Sequence, residues 1–110
     1  MNAITTHVLD LSTGLPAAGV AVRLQHAHGE EWAEQGHALT DADGRVGESL
    51  GPLVAPGRYR LSFATGAYFA ARGVASFHPE VLVVFEVREV KHHHVPLLLS
   101  PFGYSTYRGS

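Results

Sequence analysis

The sequence predicts an all-β fold, a two-sheet β-sandwich of about eight strands with one short helix. Three observations carry this. Apolar residues recur at every second position in short runs, turn residues punctuate the chain at short intervals, and only one segment breaks the alternation with helical spacing. At 110 residues, 45% of them hydrophobic, the chain is expected to form a single domain, 1–110, around one core.

The first strand is "AITTHVLDL", which stops at "STGLPAAG", where Gly14 and Pro16 interrupt it. In "VAVRLQHAH", Val20, Val22 and Leu24 share one face while Arg23 and Gln25 share the other. "EEWAEQGHALT" returns as its hairpin partner, because "AHGE" supplies a glycine for a short turn. "DADGR" is a second turn, followed by a short extended piece in "VGESL". "GRYRLSFA" alternates again, with Tyr59, Leu61 and Phe63 inward and Arg58, Arg60 and Ser62 outward. "TGAYFAARG" places Tyr68 and Arg72 four apart, which predicts the helix, with Gly73 as its stop. "VLVVFEV" is apolar at both parities, as expected of a strand covered on both faces. The last two strands are "HHHVPLLLS" and "FGYSTYR", separated by Pro101. Pro96 removes a ladder donor, so its strand is expected at a sheet edge or bulged there. Many short strands with frequent turns are most economically packed as a sandwich, whose open edges hint at subunit pairing.

Composition excludes several function classes. A net charge of -2 with 16% charged residues leaves no electrostatic footprint for nucleic acid. The absence of cysteine removes disulfides and thiolate zinc sites and fits a reducing compartment. No apolar run approaches the roughly 20 residues of a membrane span, and "MNAITTHVLDLSTG" has no basic-then-apolar leader. A cytoplasmic protein without membrane or nucleic-acid partners is expected.

Two motif look-alikes fail on context. "GESLG" fits G-x-S-x-G, but that elbow operates between a strand and a helix of a much larger α/β sheet. "DADG" resembles the start of a calcium loop, yet Leu50 stands where the closing bidentate acid is needed, so a plain turn is expected. The carboxylates show no paired spacing of the glycosidase kind. What remains is histidine, eight of them: His7, His26, His28, His37, His78, His92, His93 and His94. On a strand His92 and His94 face one way and His93 the other. Three in a row therefore cannot meet at one metal, although His92 and His94 with His7 could form a zinc site with an open position. The same side chains suit proton transfer near neutral pH. Spacing leaves both readings open for His7 and His94, while His26, His28, His37, His78 and His93 are expected to be solvated or structural.

"HHVPLLLSPFGYSTYRGS" closely resembles the C-terminal signature of the 5-hydroxyisourate hydrolases, the transthyretin-related proteins of urate breakdown, which end in Tyr-Arg-Gly-Ser. The likeness continues through "THVLDLSTGLPAAGV", "TDADGR", "GRYRLSFATGAYF" and "SFHPEV", so it covers the chain in order. The resemblance implies a transthyretin-like sandwich, a homotetramer built as a dimer of dimers with active sites at the dimer–dimer interface, and no cofactor or metal. It implies hydrolytic ring opening of 5-hydroxyisourate to 2-oxo-4-hydroxy-4-carboxy-5-ureidoimidazoline, a C–N hydrolase in purine degradation. The competing implication is a non-catalytic transthyretin-like binding protein; a zinc-binding variant on the same histidines is a third.

Carried over residue by residue, the resemblance points to His7, Arg45, His94 and Ser110 as catalytic, with His7, Arg45 and Tyr107 binding substrate. His94 and His7 would activate water and transfer protons, in either order. Arg45 would hold carbonyl oxygens and developing charge. Tyr107 would contact the flat heterocycle, and Ser110 would complete the hydrogen bonding. The family usually has tyrosine where this chain has His93, a position alternation turns away from His94. Without the resemblance, Arg45 reads as a turn residue and Tyr107 as a structural anchor.

Overall fold

A computed structural model of the chain describes residues 3–53 and 55–110. Its centre is β1 (Ile4–Asp10), whose alternation buries Ile4, Thr6, Val8 and Asp10 and leaves Thr5, His7 and Leu9 on the other face. The remaining described strands are β2 (Leu15–Pro16), β3 (Ala21–His28), β4 (Glu31–Leu39), β5 (Arg45–Val46), β6 (Gly57–Phe63), β7 (Val81–Val87), β8 (His93–His94), β9 (Leu97–Ser100) and β10 (Gly103–Thr106). One helix, α1 (Thr65–Ala70), lies between β6 and β7. One sheet runs β10-β9-β1-β2, with β5 and β8 also paired to β1; the other runs β4-β3-β6-β7. The expected two-sheet sandwich with one short helix is therefore what the chain adopts.

The core lies between the sheets. Ile4, Val8, Val22, Leu61, Phe63 and Leu97 are completely buried in it, each contributing about 1.5–3 kcal/mol relative to exposure. The β3–β4 hairpin turns at Gly29 and Glu30, as the glycine in "AHGE" predicts, and Tyr59, Leu61 and Phe63 of β6 point inward. Asp41–Gly44 is a plain turn: the Asp41 carboxylate accepts from Asp43 N–H and Arg45 N–H, each at 2.9 Å. Gly44 is required there, since its φ is +74° and a Cβ would stand 2.4 Å from Val8 O.

Four local readings are corrected. In "VGESL" only Val46 is in a strand; Glu48–Leu50 is a turn of 3₁₀ helix whose Leu50 carbonyl abuts Gly36. A short pairing, β2, forms inside the segment read as a turn, where Leu15 and Pro16 lie opposite Asp10 and Leu9. β7 is not covered on both faces: it is an edge strand, and Leu82 and Val84 are exposed. Its apolar run thus reflects an uncovered outer face and not a second layer.

The strand carrying Pro96 lies inside its sheet, between β1 and β10, and is neither an edge nor a slipped register. It is interrupted instead, giving β8 and β9 at the same offset from β1. Val95 N–H donates to Thr5 O at 2.9 Å, so alternation puts the missing Pro96 donor on the β10 side. There β10 ends at Thr106, and Gly109 N–H rejoins by donating to His94 O at 2.8 Å. The interruption is what brings the C-terminal residues beside His94.

Candidate active site

β1 gathers the site from distant parts of the chain. On one edge β5 pairs antiparallel, setting Arg45 opposite His7; on the other β8 pairs parallel, setting His94 opposite Thr5. Paired residues share a face, and Thr5 and His7 share theirs by alternation. His7, Arg45 and His94 therefore stand together on the outer face of the sheet, away from the core. Beside them opens a cleft of about 320 Å³ lined by Thr5, Arg45, Gly47, His92, His94 and Ser110, among others. This is within the roughly 300–1,000 Å³ usual for small-ligand pockets.

His94 is half-buried and its Nδ1 lies 2.8 Å from Thr5 Oγ1. Burial, then the nearby charges of Arg45, His92 and His7, hold its pKa below the ordinary histidine value. At neutral pH it is a neutral imidazole whose Nε2 is the nitrogen left for chemistry. Arg45 is exposed, its backbone pinned to the Asp41 carboxylate, and among the described residues no carboxylate forms an ion pair with its guanidinium. It is a cation on the lining of the cleft. Gly109 fits against the His94 ring so closely that a Cβ would meet Cδ2 at 2.7 Å, and this places Ser110 in the cleft.

The structure puts Arg45, His94 and Ser110 on the cleft, while His7 stands opposite Arg45 in register but is not among the cleft's lining residues. It does not bring Tyr107 with them. Tyr107 lies in a separate groove with Val83, Phe85, Val95 and His93, on the side toward which His93 points. His93 itself is buried, its Nδ1 2.7 Å from Lys91 O, so the position where the family usually has tyrosine is structural here. Among the described residues no three histidine or carboxylate side chains converge as metal ligands.

Sequence reasoning missed Thr5. Its Oγ1 is 2.8 Å from His92 Nε2 as well as 2.8 Å from His94 Nδ1, so one hydroxyl bridges both rings. The signal was its parity with His7 two residues on.

Residues 4–109 match the model of the HIUase/Transthyretin family. The chain belongs to that family. Within it, the chain is 47% identical to the 5-hydroxyisourate hydrolase of Caulobacter vibrioides over the whole of both chains. Among solved structures, Klebsiella pneumoniae 5-hydroxyisourate hydrolase is 42% identical with a TM-score of 0.86, each chain fully covered. Transthyretin from Sparus aurata matches with a TM-score of 0.91 but 30% identity, covering 99% of this chain and 97% of that one. Backbone shape thus does not separate the family's two branches, and the side chains of the cleft must.

Proposed function

We propose that this protein hydrolyses 5-hydroxyisourate to 2-oxo-4-hydroxy-4-carboxy-5-ureidoimidazoline. The observation that carries this is the convergence of His92, His94, Arg45 and Ser110 on a single small cleft, with His7 opposite Arg45 beside it, in a chain 42–47% identical to hydrolases of that name. Water adds to a ring carbonyl, the adjoining C–N bond breaks, the carbon becomes the carboxyl group and the nitrogen remains in the ureido arm. Such a reaction needs a base for water, a cation for the oxyanion and an acid for the leaving nitrogen.

Neutral His94 takes the proton from water through Nε2. Arg45 binds the carbonyl oxygen, and its forked donors hold it as charge develops. His7, opposite Arg45 in register, helps to orient the substrate, and Ser110 hydrogen-bonds substrate at the cleft wall. Tyr107 stands outside its own chain's cleft, so it would reach substrate only in the cleft of a second copy.

A homotetramer, a dimer of dimers, fits two of the sheet edges of this chain: β7 and β10 each end a sheet, with Leu82, Val84, Phe102 and Tyr104 exposed along or beside them. The whole chain would act as one domain in purine degradation, in the cytoplasm. The test is to generate 5-hydroxyisourate with urate oxidase and follow its ultraviolet decay. Acceleration proportional to this protein is expected; an unchanged decay would sink the assignment.

A further inference from the structure

Among the described residues the Thr5 hydroxyl lies within hydrogen-bond distance of both histidines that line the cleft, and a hydroxyl has a single proton to give. We propose that Thr5 is a proton-relay residue through which His94 passes the proton it takes from water to His92, where it is held until the ring nitrogen leaves. This rests on the hydrolase reading above.

Oγ1 lies 2.8 Å from His92 Nε2 and 2.8 Å from His94 Nδ1. It can donate to one ring only and accepts from the other, which leaves two arrangements of one chain. In the first, His94 Nδ1–H donates to Thr5 and Thr5 O–H donates to His92 Nε2. His94 Nε2 then carries a lone pair and is a base. In the second, His92 Nε2–H donates to Thr5 and Thr5 O–H donates to His94 Nδ1, so that His94 Nε2 carries a proton and is an acid.

Hydrolysis needs both forms in turn, and the chain interconverts them. As the water oxygen bonds to the carbonyl carbon, its proton goes to His94 Nε2, the Nδ1 proton goes to Thr5 Oγ1, and the Thr5 proton goes to His92 Nε2. His94 stays neutral while His92 becomes the imidazolium. When the C–N bond breaks, Nε2 gives its proton to the departing nitrogen and the relay runs back, returning each group to its first state. The net transfer is one water proton to nitrogen and hydroxyl to carbon.

The placement of the two rings favours this division. His94 is half-buried with Arg45 and His7 about it, a poor place for a second positive charge, whereas the His92 side chain is exposed to water. The rings stand 6.4 Å apart between centroids, too far for a direct hydrogen bond, so the exchange depends on the hydroxyl between them.

The test is Thr5→Val, which keeps the branched shape and removes the hydroxyl, read beside Thr5→Ser and His92→Ala. For Thr5→Val, kcat for 5-hydroxyisourate is expected to fall at least about 10-fold with KM little changed, part of the roughly 10²–10⁴ that acid–base catalysis supplies. The solvent isotope effect of the wild type should reflect more than one moving proton and that of Thr5→Val one. Thr5→Ser should recover most of the rate, and added imidazole should restore part of it to His92→Ala. A wild-type rate in Thr5→Val, or equal losses in the Val and Ser variants, would overturn the relay while leaving the hydrolase assignment standing. An inactive wild type would remove both.

Discussion

His94 is surrounded by burial on one side and by Arg45, His92 and His7 on the other, and together these disfavour its imidazolium. Because its folded pKa lies below the ordinary value of about 6.5, the imidazole stays unprotonated at neutral pH. The acid limb of kcat/KM that reports His94 is therefore expected below pH 6.5, readable from a pH–rate profile; a limb above 6.5 would contradict the placement. The same shift acts on stability. Between the folded value and about 6.5 the unfolded chain binds the proton and the folded one does not, so His94 costs stability as pH falls through that window and nothing above it. At Arg45, Arg45→Lys retains the charge and loses the fork. A fall in kcat/KM of about 10²-fold is expected, and a variant as active as wild type would reduce the residue to a turn position.

How legible these residues were depends on what each shows locally. Arg45 in "DADGR" looks like any turn residue, and its partner across the ladder, His7, is 38 positions away. Only the family resemblance singled it out. Thr5 stayed hidden because hydroxyls are common on strands and its two partners lie at His92 and His94. His93 was legible from alternation alone.

At the scale of elements, β1 is the scaffold and the C-terminal segment is its closing wall. Gly109 is the joint, and Gly109→Ala would drive a Cβ into the His94 ring. A loss of about 10²-fold in kcat with an unaltered melting temperature is expected, as for a small misplacement of a reacting group; unchanged kcat would show that the contact yields. At the far end of β1, Tyr68 of α1 donates to the buried Asp10 carboxylate at 2.9 Å. Burial raises the Asp10 pKa, but hydrogen bonds from Ser12 and Tyr68 outweigh it and the net shift is downward. Burial, then Asp10, pushes the Tyr68 hydroxyl up to about 12. The Asp10 carboxylate thus adds stability above its unfolded pKa, and that stability is lost as pH falls through the lowered folded one. Tyr68→Phe should cost about 1–3 kcal/mol in denaturant unfolding and move acid unfolding to higher pH, with activity of the folded protein retained.

Strand positions were readable because alternation in β1, β3 and β6 is set by burial of one face. β7 was misread because periodicity reports apolarity and not what covers it. Pro96 was misplaced because a missing donor marks one side of a strand only, and here the other side keeps the same register to β1 before and after the proline. The 3₁₀ turn at Glu48–Leu50 follows from the fit of Leu50 against Gly36 of β4, a contact no local pattern announces.

At the scale of the whole molecule, the open edges at β7 and β10 and the exposed Leu82, Val84 and Tyr104 predict assembly. Light scattering should give four times the 11.8 kDa chain mass; a monomer would leave those edges unexplained and Tyr107 without a cleft to reach. The sandwich is common to hydrolase and transthyretin alike, so the central claim is that this chain's cleft, and not its fold, acts on the ring. The most direct measurement is the decay of enzymatically generated 5-hydroxyisourate with wild type and with His94→Asn at equal concentration of folded protein. The wild type should accelerate the decay and His94→Asn should lose about 10²–10⁴-fold of that acceleration. Equal rates in the two proteins would contradict it.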